Sequence, residues 1–443
     1  MTVVERFAEF GAGLGARAIP ADVIHHTKRA VIDWYAAVLP GAKAEPAVLL
    51  EKALGDELDR GPSRLALGRH ASPRAAALIN GTAAHTMEVD DIYREAIYHP
   101  GAPTIAAALA AGQTAGVSGD AFLKAVIAGY EISTRIGAAM GRAHYRFWHM
   151  TGTAGTFGAA AAAASVYGLD AGRFAHALAT AATFAAGLQQ AFRMDSMSKP
   201  LHAGRAAESG LLAAMAAREG VTGSLDVIEG DAGFGRAMSG APDWEKALST
   251  LGRQFHIAAM TFKNHACCGH TFAAIDGALE LKRRMGVEAH DIAKVRVETY
   301  GEAMHVAGNA DPKTPAEARF SLVYVVAAAL THGSVRLAAF EPERIADPKT
   351  RELMRRVELK IDPTIDAAFP NTRAALVTME TKDGRRARIT QPTRRGDPDL
   401  PLTDSELEEK YLELAVPVIG KVKAMALLER LWQLDTRPRI DLG

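Results

Sequence analysis

Apolar residues recur at helical spacing through most of the first 260 positions. The pattern predicts helices over Ala21–Val38, Pro73–Met87, Thr104–Gly116, Asp120–Gly141, Thr156–Tyr167 and Ala171–Gly187, with Gly, Pro or Asp at each junction. Asp120 and Asp170 stand at the heads of two of these runs and read as acidic N-caps, while His176 reads as a packing residue. The stretches 159–164 and 177–186 are apolar nearly all round, which places them in central core helices.

Beyond about residue 260 the period shifts. Val295–Tyr300 and Val357–Ile361 alternate as strands do, and Leu376–Thr381 and Arg386–Thr390 flank Asp383-Gly384, a strong hairpin signal. Helical patterns at Thr314–Thr331 and Pro348–Arg356 lie between them, and the run from Asp404 onward is helical again. The expected fold is mostly α: a large all-helical domain (1–260), a smaller inserted α+β lid domain (261–395), and C-terminal helices (396–443) that return to the helical domain.

Composition narrows the class. Of 443 residues 48% are apolar, which excludes disorder, and about a fifth are alanine, which suits closely packed helices. Lys+Arg and Asp+Glu balance at 51 each, so the electrostatic footprint of a nucleic-acid binder is missing. Phe147–Leu169 carries no Asp, Glu, Lys or Arg, yet Gly152, Gly155 and Gly158 interrupt it and alanine inserts weakly; it reads as a buried helix, with no membrane association expected. The N-terminus lacks the basic and apolar regions of a signal peptide, so a cytoplasmic location is expected.

Several motifs are missing. Gly420-Lys421 lacks the rest of a P-loop, Gly11–Gly15 follows a helix rather than a strand, and no G-x-S-x-G elbow occurs. His265-Ala-Cys267-Cys268-Gly-His270 gathers four possible metal ligands. Adjacent cysteines point apart and structural zinc usually needs a second, distant ligand pair, so no metal is expected and the cysteines read as packing at a domain junction.

Four polar segments interrupt the alanine background: Glu88–Asp91 with His99, Arg142–His149, Ser196–Arg205, and Lys263–His270. Between Arg142 and Glu208, six cations (Arg142, Arg146, Arg173, Arg193, Lys199 and Arg205) face three anions (Asp170, Asp195 and Glu208). Such a surplus suits a small polycarboxylate, which arginine clamps through paired hydrogen bonds. Tyr145 and His149 would share a helix face if one helix held both.

At these segments the chain resembles the MmgE/PrpD family, which includes 2-methylcitrate dehydratases, cis-aconitate decarboxylases and iminodisuccinate epimerases. The matching stretches are NGTAAHTMEVDDIYREAIYHPGAPTIAAALA, WHMTGTAGTFGAAAAAASVYGL, SMSKPLHAGRAAESGLLAA, FKNHACCGHTFAAIDGAL and PAEARFSLVYVVAAALTHG. The resemblance implies a helical domain with an α+β lid, a homodimer, a site in the cleft between the domains, and chemistry without metal or organic cofactor. It implies active-site roles for Asp90, Asp91, His99, His149, Lys199 and His270; Glu88 stands where related sequences often carry aspartate.

The shared step expected of such a site is proton transfer at the carbon α to a carboxylate, with cations stabilising the enediolate. Lys199, His149 and Tyr145 are the acid/base candidates. Arg142, Arg146, His202, Arg205 and Lys263 are candidates to bind carboxylates, and Asp90 or Asp91 to fix a histidine tautomer. Dehydration of a 2-methylcitrate-type hydroxy acid leads the reading. Epimerisation of an iminodisuccinate-type substrate, cis-aconitate-type decarboxylation, and non-catalytic polycarboxylate binding are the alternatives.

Overall fold

The computed structural model describes residues 1–192 and 196–442, and most of them are α-helical. Arg193 and Asp195, two of the charges counted above, lie outside the described residues. The chain divides into two compact units: Met1–Thr261 with Thr403–Gly443, and Phe262–Leu402.

The first unit is built from α1 (Val3–Gly13), α2 (Ala21–Gly41), α3 (Ala47–Ala53), α4 (Pro73–Thr86), α5 (Gly101–Ala115), α6 (Gly119–Tyr145), α7 (Met150–Val166), α8 (Ala171–Phe184) and α9 (Ser198–Arg218). The helices Asp404–Ile419 and Lys421–Trp432 join this unit from the far end of the sequence. Ser72, Ser118 and Asp170 cap α4, α6 and α8 by accepting backbone N–H bonds. Ser118 thus takes the capping role expected of Asp120, which instead lies in the first turn of α6 and favours the positive end of the helix dipole.

Helix α7 is the centre of the core. It is buried at every position but Ser165, packs against α5, α6, α8 and α9, and is almost entirely Ala, Gly, Thr and Phe. Small side chains let four neighbours close on one helix. The same device sets the α4–α9 crossing: a Cβ on Gly204 would lie 2.1 Å from Thr82 Oγ1 and 2.2 Å from the Leu78 carbonyl oxygen. A small antiparallel ribbon, β1 (Leu58–Arg64) with β2 (His70–Ala71), was not legible in the sequence, because LDRGPSR has neither alternation nor β-branched residues. Among the described residues, no helix is long and apolar enough to cross a membrane.

The second unit holds a four-stranded sheet of β3 (Ile292–Thr299), β4 (Val357–Ile361), β5 (Ala375–Thr381) and β6 (Arg386–Gln391), ordered β4-β3-β5-β6. Only the β3–β4 pair is parallel. The Asp383-Gly384 turn joins β5 to β6 as expected, with Gly384 at a φ of 88° that a side chain would resist. Helix Phe272–Met285 packs on β5 and β6. The pattern over Thr314–Thr331 resolves into two helices, Pro315–Arg319 and Leu322–His332, because Ser321 breaks the first and caps the second through the Tyr324 amide.

Candidate active site

In the first unit the polar segments converge on a buried histidine cluster. Helix α4 places His85 on its last turn, and the loop behind it carries Glu88 to Asp91. This loop runs against local preference: Glu88 and Ile97 adopt left-handed φ values of 58° and 50°. Each costs a non-glycine residue about 1–2 kcal/mol, so tertiary contacts must hold the loop. Lys410, on helix Asp404–Ile419, donates to the Val89 carbonyl oxygen (2.7 Å) and to Asp33 Oδ1 (2.6 Å) in a fully buried setting. Ile92 and Thr261 exchange two backbone bonds of 2.9 Å.

Asp90 is the pivot. Its Oδ2 lies 2.7 Å from His85 Nδ1 and 3.2 Å from His99 Nδ1, and the two rings meet edge-on at 4.8 Å. Burial works to raise the Asp90 carboxyl, but the charges of His99 and His85 and their hydrogen bonds outweigh it and hold it well below the usual carboxylate range. An ionised carboxylate is acceptor-only, so His85 carries Nδ1–H and turns Nε2 away from Asp90, while His99 stands in ion-pair range of the same oxygen.

His149 stacks on His85 at 5.4 Å and approaches His202 with an Nδ1–Nδ1 separation of 3.1 Å. It caps α7, and its amide donates to the Gly187 carbonyl oxygen (2.8 Å) in a short pairing of segments 147–149 and 187–189. Burial, then the neighbouring His85 and Lys199 charges, press His149 well below the normal histidine range; burial first, then the same two charges, bring His202 to about 4. Both rings are therefore neutral near pH 7. Since one must donate and the other accept across 3.1 Å, they are opposite tautomers.

Lys199 enters on the first turn of α9, ion-paired to Glu88 and 5.3 Å above the Phe192 ring, which in turn packs edge-on against His149 at 4.7 Å. His202, one turn further along α9, shares a small cleft with Gly152, Thr156, Gly187 and Arg205. Asp91 faces elsewhere. It accepts from Tyr130 Oη (2.7 Å) and the Gly101 amide (3.0 Å), fastening the start of α5, and burial together with Asp33 raises its carboxyl to about 8.

In the second unit, His270 Nδ1 lies 2.8 Å from Tyr300 Oη, and the Tyr300 ring stacks on Phe369 at 4.5 Å. Burial, then Arg373 and Arg394, lower His270 to about 3. His265 is bound to Asp276 (2.9 Å), Cys267 to Thr271 (3.2 Å), and both thiols are buried and outside any disulfide. The ring nitrogens of the HACCGH segment thus serve separate partners. Among the described residues, His85, Asp90 and His99 are the one trio of such ligands with atoms mutually within 4.8 Å. Asp90 Oδ2 is hydrogen-bonded to His85 Nδ1 and ion-paired with His99 Nδ1, so the carboxylate is already engaged by both rings.

Residues 5–247 match the MmgE/PrpD N-terminal domain and residues 265–434 the MmgE/PrpD C-terminal domain. The chain belongs to the MmgE/PrpD family. Among its relatives are a cis-aconitate decarboxylase-like protein, oryM, of Aspergillus oryzae (28% identical, covering 94% of this chain and 91% of the relative) and the cis-aconitate decarboxylase of Homo sapiens (28%, 93% and 87%). The cis-aconitate decarboxylase of Aspergillus terreus is 25% identical over 98% of this chain and 93% of its own.

In this MmgE/PrpD chain, the structure gathers Asp90, His99, His149, Lys199 and His202 in the first unit and sets His270 and the buried Lys263 in the second. Asp91 belongs to a helix start. Tyr145 ends α6 and His149 begins the next helix, so the pair does not share a helix face; Gly141, at φ 62° and ψ −162°, already breaks α6 before Tyr145. Arg142 and Arg146 are exposed, Arg146 lying over the Phe147 ring, and Arg205 is paired with Glu208, which also takes Arg74. The cationic surplus read from the sequence is thus largely at the surface. Sequence reasoning missed His85, which it left unassigned inside an alanine-rich stretch, although its position five residues before Asp90 is the available signal.

Proposed function

We propose that the chain is a cofactor-independent lyase acting on a small tricarboxylate, and that its reaction is decarboxylation of a cis-aconitate-type substrate. The observation that carries this reading is the buried cluster of Asp90, His85, His99, His149, His202 and Lys199, in a chain aligned nearly end to end with cis-aconitate decarboxylases. This choice replaces dehydration as the leading reaction, since no relative described above is a dehydratase.

Loss of carbon dioxide leaves an electron pair on carbon conjugated to a remaining carboxylate, and a delivered proton closes the reaction. Lys199 and His99 are the proposed donors. Lys199 is a cation beside the cluster, and His99 is oriented by Asp90. The neutral His149–His202 pair is placed to relay the proton or to steady the enediolate by donating a hydrogen bond. A two-domain homodimer is proposed on the family resemblance alone.

The test is proton NMR in D₂O with cis-aconitate, a 2-methylcitrate-type hydroxy acid and iminodisuccinate offered separately. Decarboxylation of cis-aconitate, abolished in Lys199→Ala and His149→Ala, is the expected outcome. Alkene formation from the hydroxy acid, or deuterium exchange with inversion, would assign one of the other family reactions instead. Full activity in both variants would remove the cluster from the chemistry.

A further inference from the structure

The second unit contains a buried cation that, among the described residues, pairs directly with no carboxylate. Arg373 is only 8% exposed, and among the described residues it makes no hydrogen bond or ion pair; its Nε is buried without an acceptor. Its neighbours are the Phe369 ring, 5.9 Å from the guanidinium carbon, the Tyr300 phenol, and the second guanidinium of Arg394. Asp397, a carboxylate whose charge reaches Arg373, has both oxygens engaged by Arg394 in a bidentate pair of 2.9 and 2.7 Å. Arg394 thus holds the Asp397 carboxylate and Arg373 does not. Burial and Arg394 lower Arg373 only to about 10, so it stays cationic at neutral pH.

The position is rigid. Arg373 stands two residues before β5 and Tyr300 directly after β3, and the Thr299 hydroxyl donates to the Ala374 carbonyl oxygen (2.9 Å) to tie the two strand ends together. His270 and Tyr300 share one hydrogen bond of 2.8 Å. Whichever of the two donates in it, the other keeps a hydrogen to offer: the phenol O–H if histidine donates, the Nε2–H if tyrosine donates. A fork-shaped cation and one neutral donor, held on packed strand ends, match a planar carboxylate.

We propose that Arg373, with the His270–Tyr300 pair, forms a carboxylate-binding subsite within the second unit, taking one carboxylate of a polycarboxylate ligand. It rests on the proposed function only for the owner of that carboxylate; the uncompensated buried cation does not depend on it. A charge buried without a partner destabilises the empty fold and favours the anion-bound one. Arg373 is thus a binding residue whose cost appears in the unliganded protein.

The experiment uses tricarballylate, a saturated tricarboxylate that has no double bond or hydroxyl to react, on the full chain. Isothermal titration and calorimetric melting are run on wild type, Arg373→Met and Arg373→Lys, with inorganic phosphate in a parallel arm. The expected result is at least about tenfold weaker tricarballylate binding in R373M, an intermediate loss in R373K, and an unliganded melting temperature in R373M equal to or above wild type. Should R373M not fold, the R373K affinity decides alone, since lysine keeps the charge but loses the fork. Unchanged affinity in R373K and R373M, or a lower unliganded melting temperature without loss of binding, would overturn the proposal by making Arg373 a structural residue. Phosphate binding as tight as tricarballylate would overturn the carboxylate assignment. If cis-aconitate is not turned over while Arg373-dependent tricarballylate binding persists, the reaction reading fails and the subsite stands.

Discussion

Replacing Asp90 by asparagine tests the centre of the cluster with almost no change in shape. Asp90 is 1% exposed, and its Oδ2 is hydrogen-bonded to His85 Nδ1 at 2.7 Å and ion-paired with His99 Nδ1 at 3.2 Å. An asparagine oxygen in the same place keeps the His85 bond but makes it neutral, and it removes the ionic attraction on His99. Each change weakens an interaction by about 0.5–1.5 kcal/mol, giving a stability loss of roughly 1–3 kcal/mol. For a unit of this size, that lowers the melting temperature by about 2–6 °C. The catalytic effect is larger. If the amide flips, its NH₂ faces His99 Nδ1 and drives that ring to the other tautomer, removing an oriented acid/base group worth about 10²–10⁴-fold. The assay is carbon dioxide release from cis-aconitate at pH 7, with near-UV circular dichroism and calorimetry to establish that the variant is folded. A folded Asp90→Asn protein with more than about a third of wild-type turnover would refute the argument that the Asp90–His99 contact orients the chemistry.

Other perturbations follow from the same contacts. Lys410→Met leaves Asp33 and the Val89 carbonyl without their shared cation and should cost about 3–5 kcal/mol in denaturant unfolding, with Asp33→Asn/Lys410→Met recovering part of it; additive losses would contradict the pairing. Gly204→Ala forces α4 and α9 apart and should destabilise by at least about 1–3 kcal/mol, whereas Gly13→Ala, with open space around it, should be neutral or slightly stabilising in the same melting assay. Burial lowers His144 and His202 to about 4 and His256 and His270 to about 3, all below their unfolded value, so the unfolded chain binds more protons between about pH 6.5 and 4. Stability should fall with acidity across that window by up to about 1.4 kcal/mol per pH unit for the buried His144 and less for the partly exposed His202, His256 and His270. Burial raises Asp91 to about 8 and Glu131 to about 7; these groups act in the opposite sense and reduce the net slope, and a melting temperature that rises on acidification from pH 6.5 to 4.5 would contradict the sign.

Local signals carried the elements and non-local pairing built the site. The hairpin at Asp383-Gly384 and the cap at Asp170 were legible because turn and cap chemistry act within four residues. The same logic misplaced the α6 cap by two residues, since Ser118 and Asp120 are both competent and only the chain path chooses. His99, His149 and Lys199 were legible as polar interruptions of alanine helices. Their organisation was not: Asp90 joins His85 to His99, and Lys410 reaches back 377 residues to Asp33. Tyr145 and His149 show the limit of spacing arguments, because Gly141 breaks the helix that an i,i+4 pair requires. Arg373 gave no signal in the sequence, as an arginine before a strand is ordinary. Its burial without a carboxylate is a property of the fold alone.

The most direct test of the central claim is the stoichiometry of the reaction itself. Carbon dioxide released per cis-aconitate consumed, followed together with deuterium incorporation in D₂O, should be one to one, with one solvent deuteron in the product and no turnover in Lys199→Ala. Consumption of cis-aconitate without carbon dioxide, or release that is equally fast in Lys199→Ala, would contradict it.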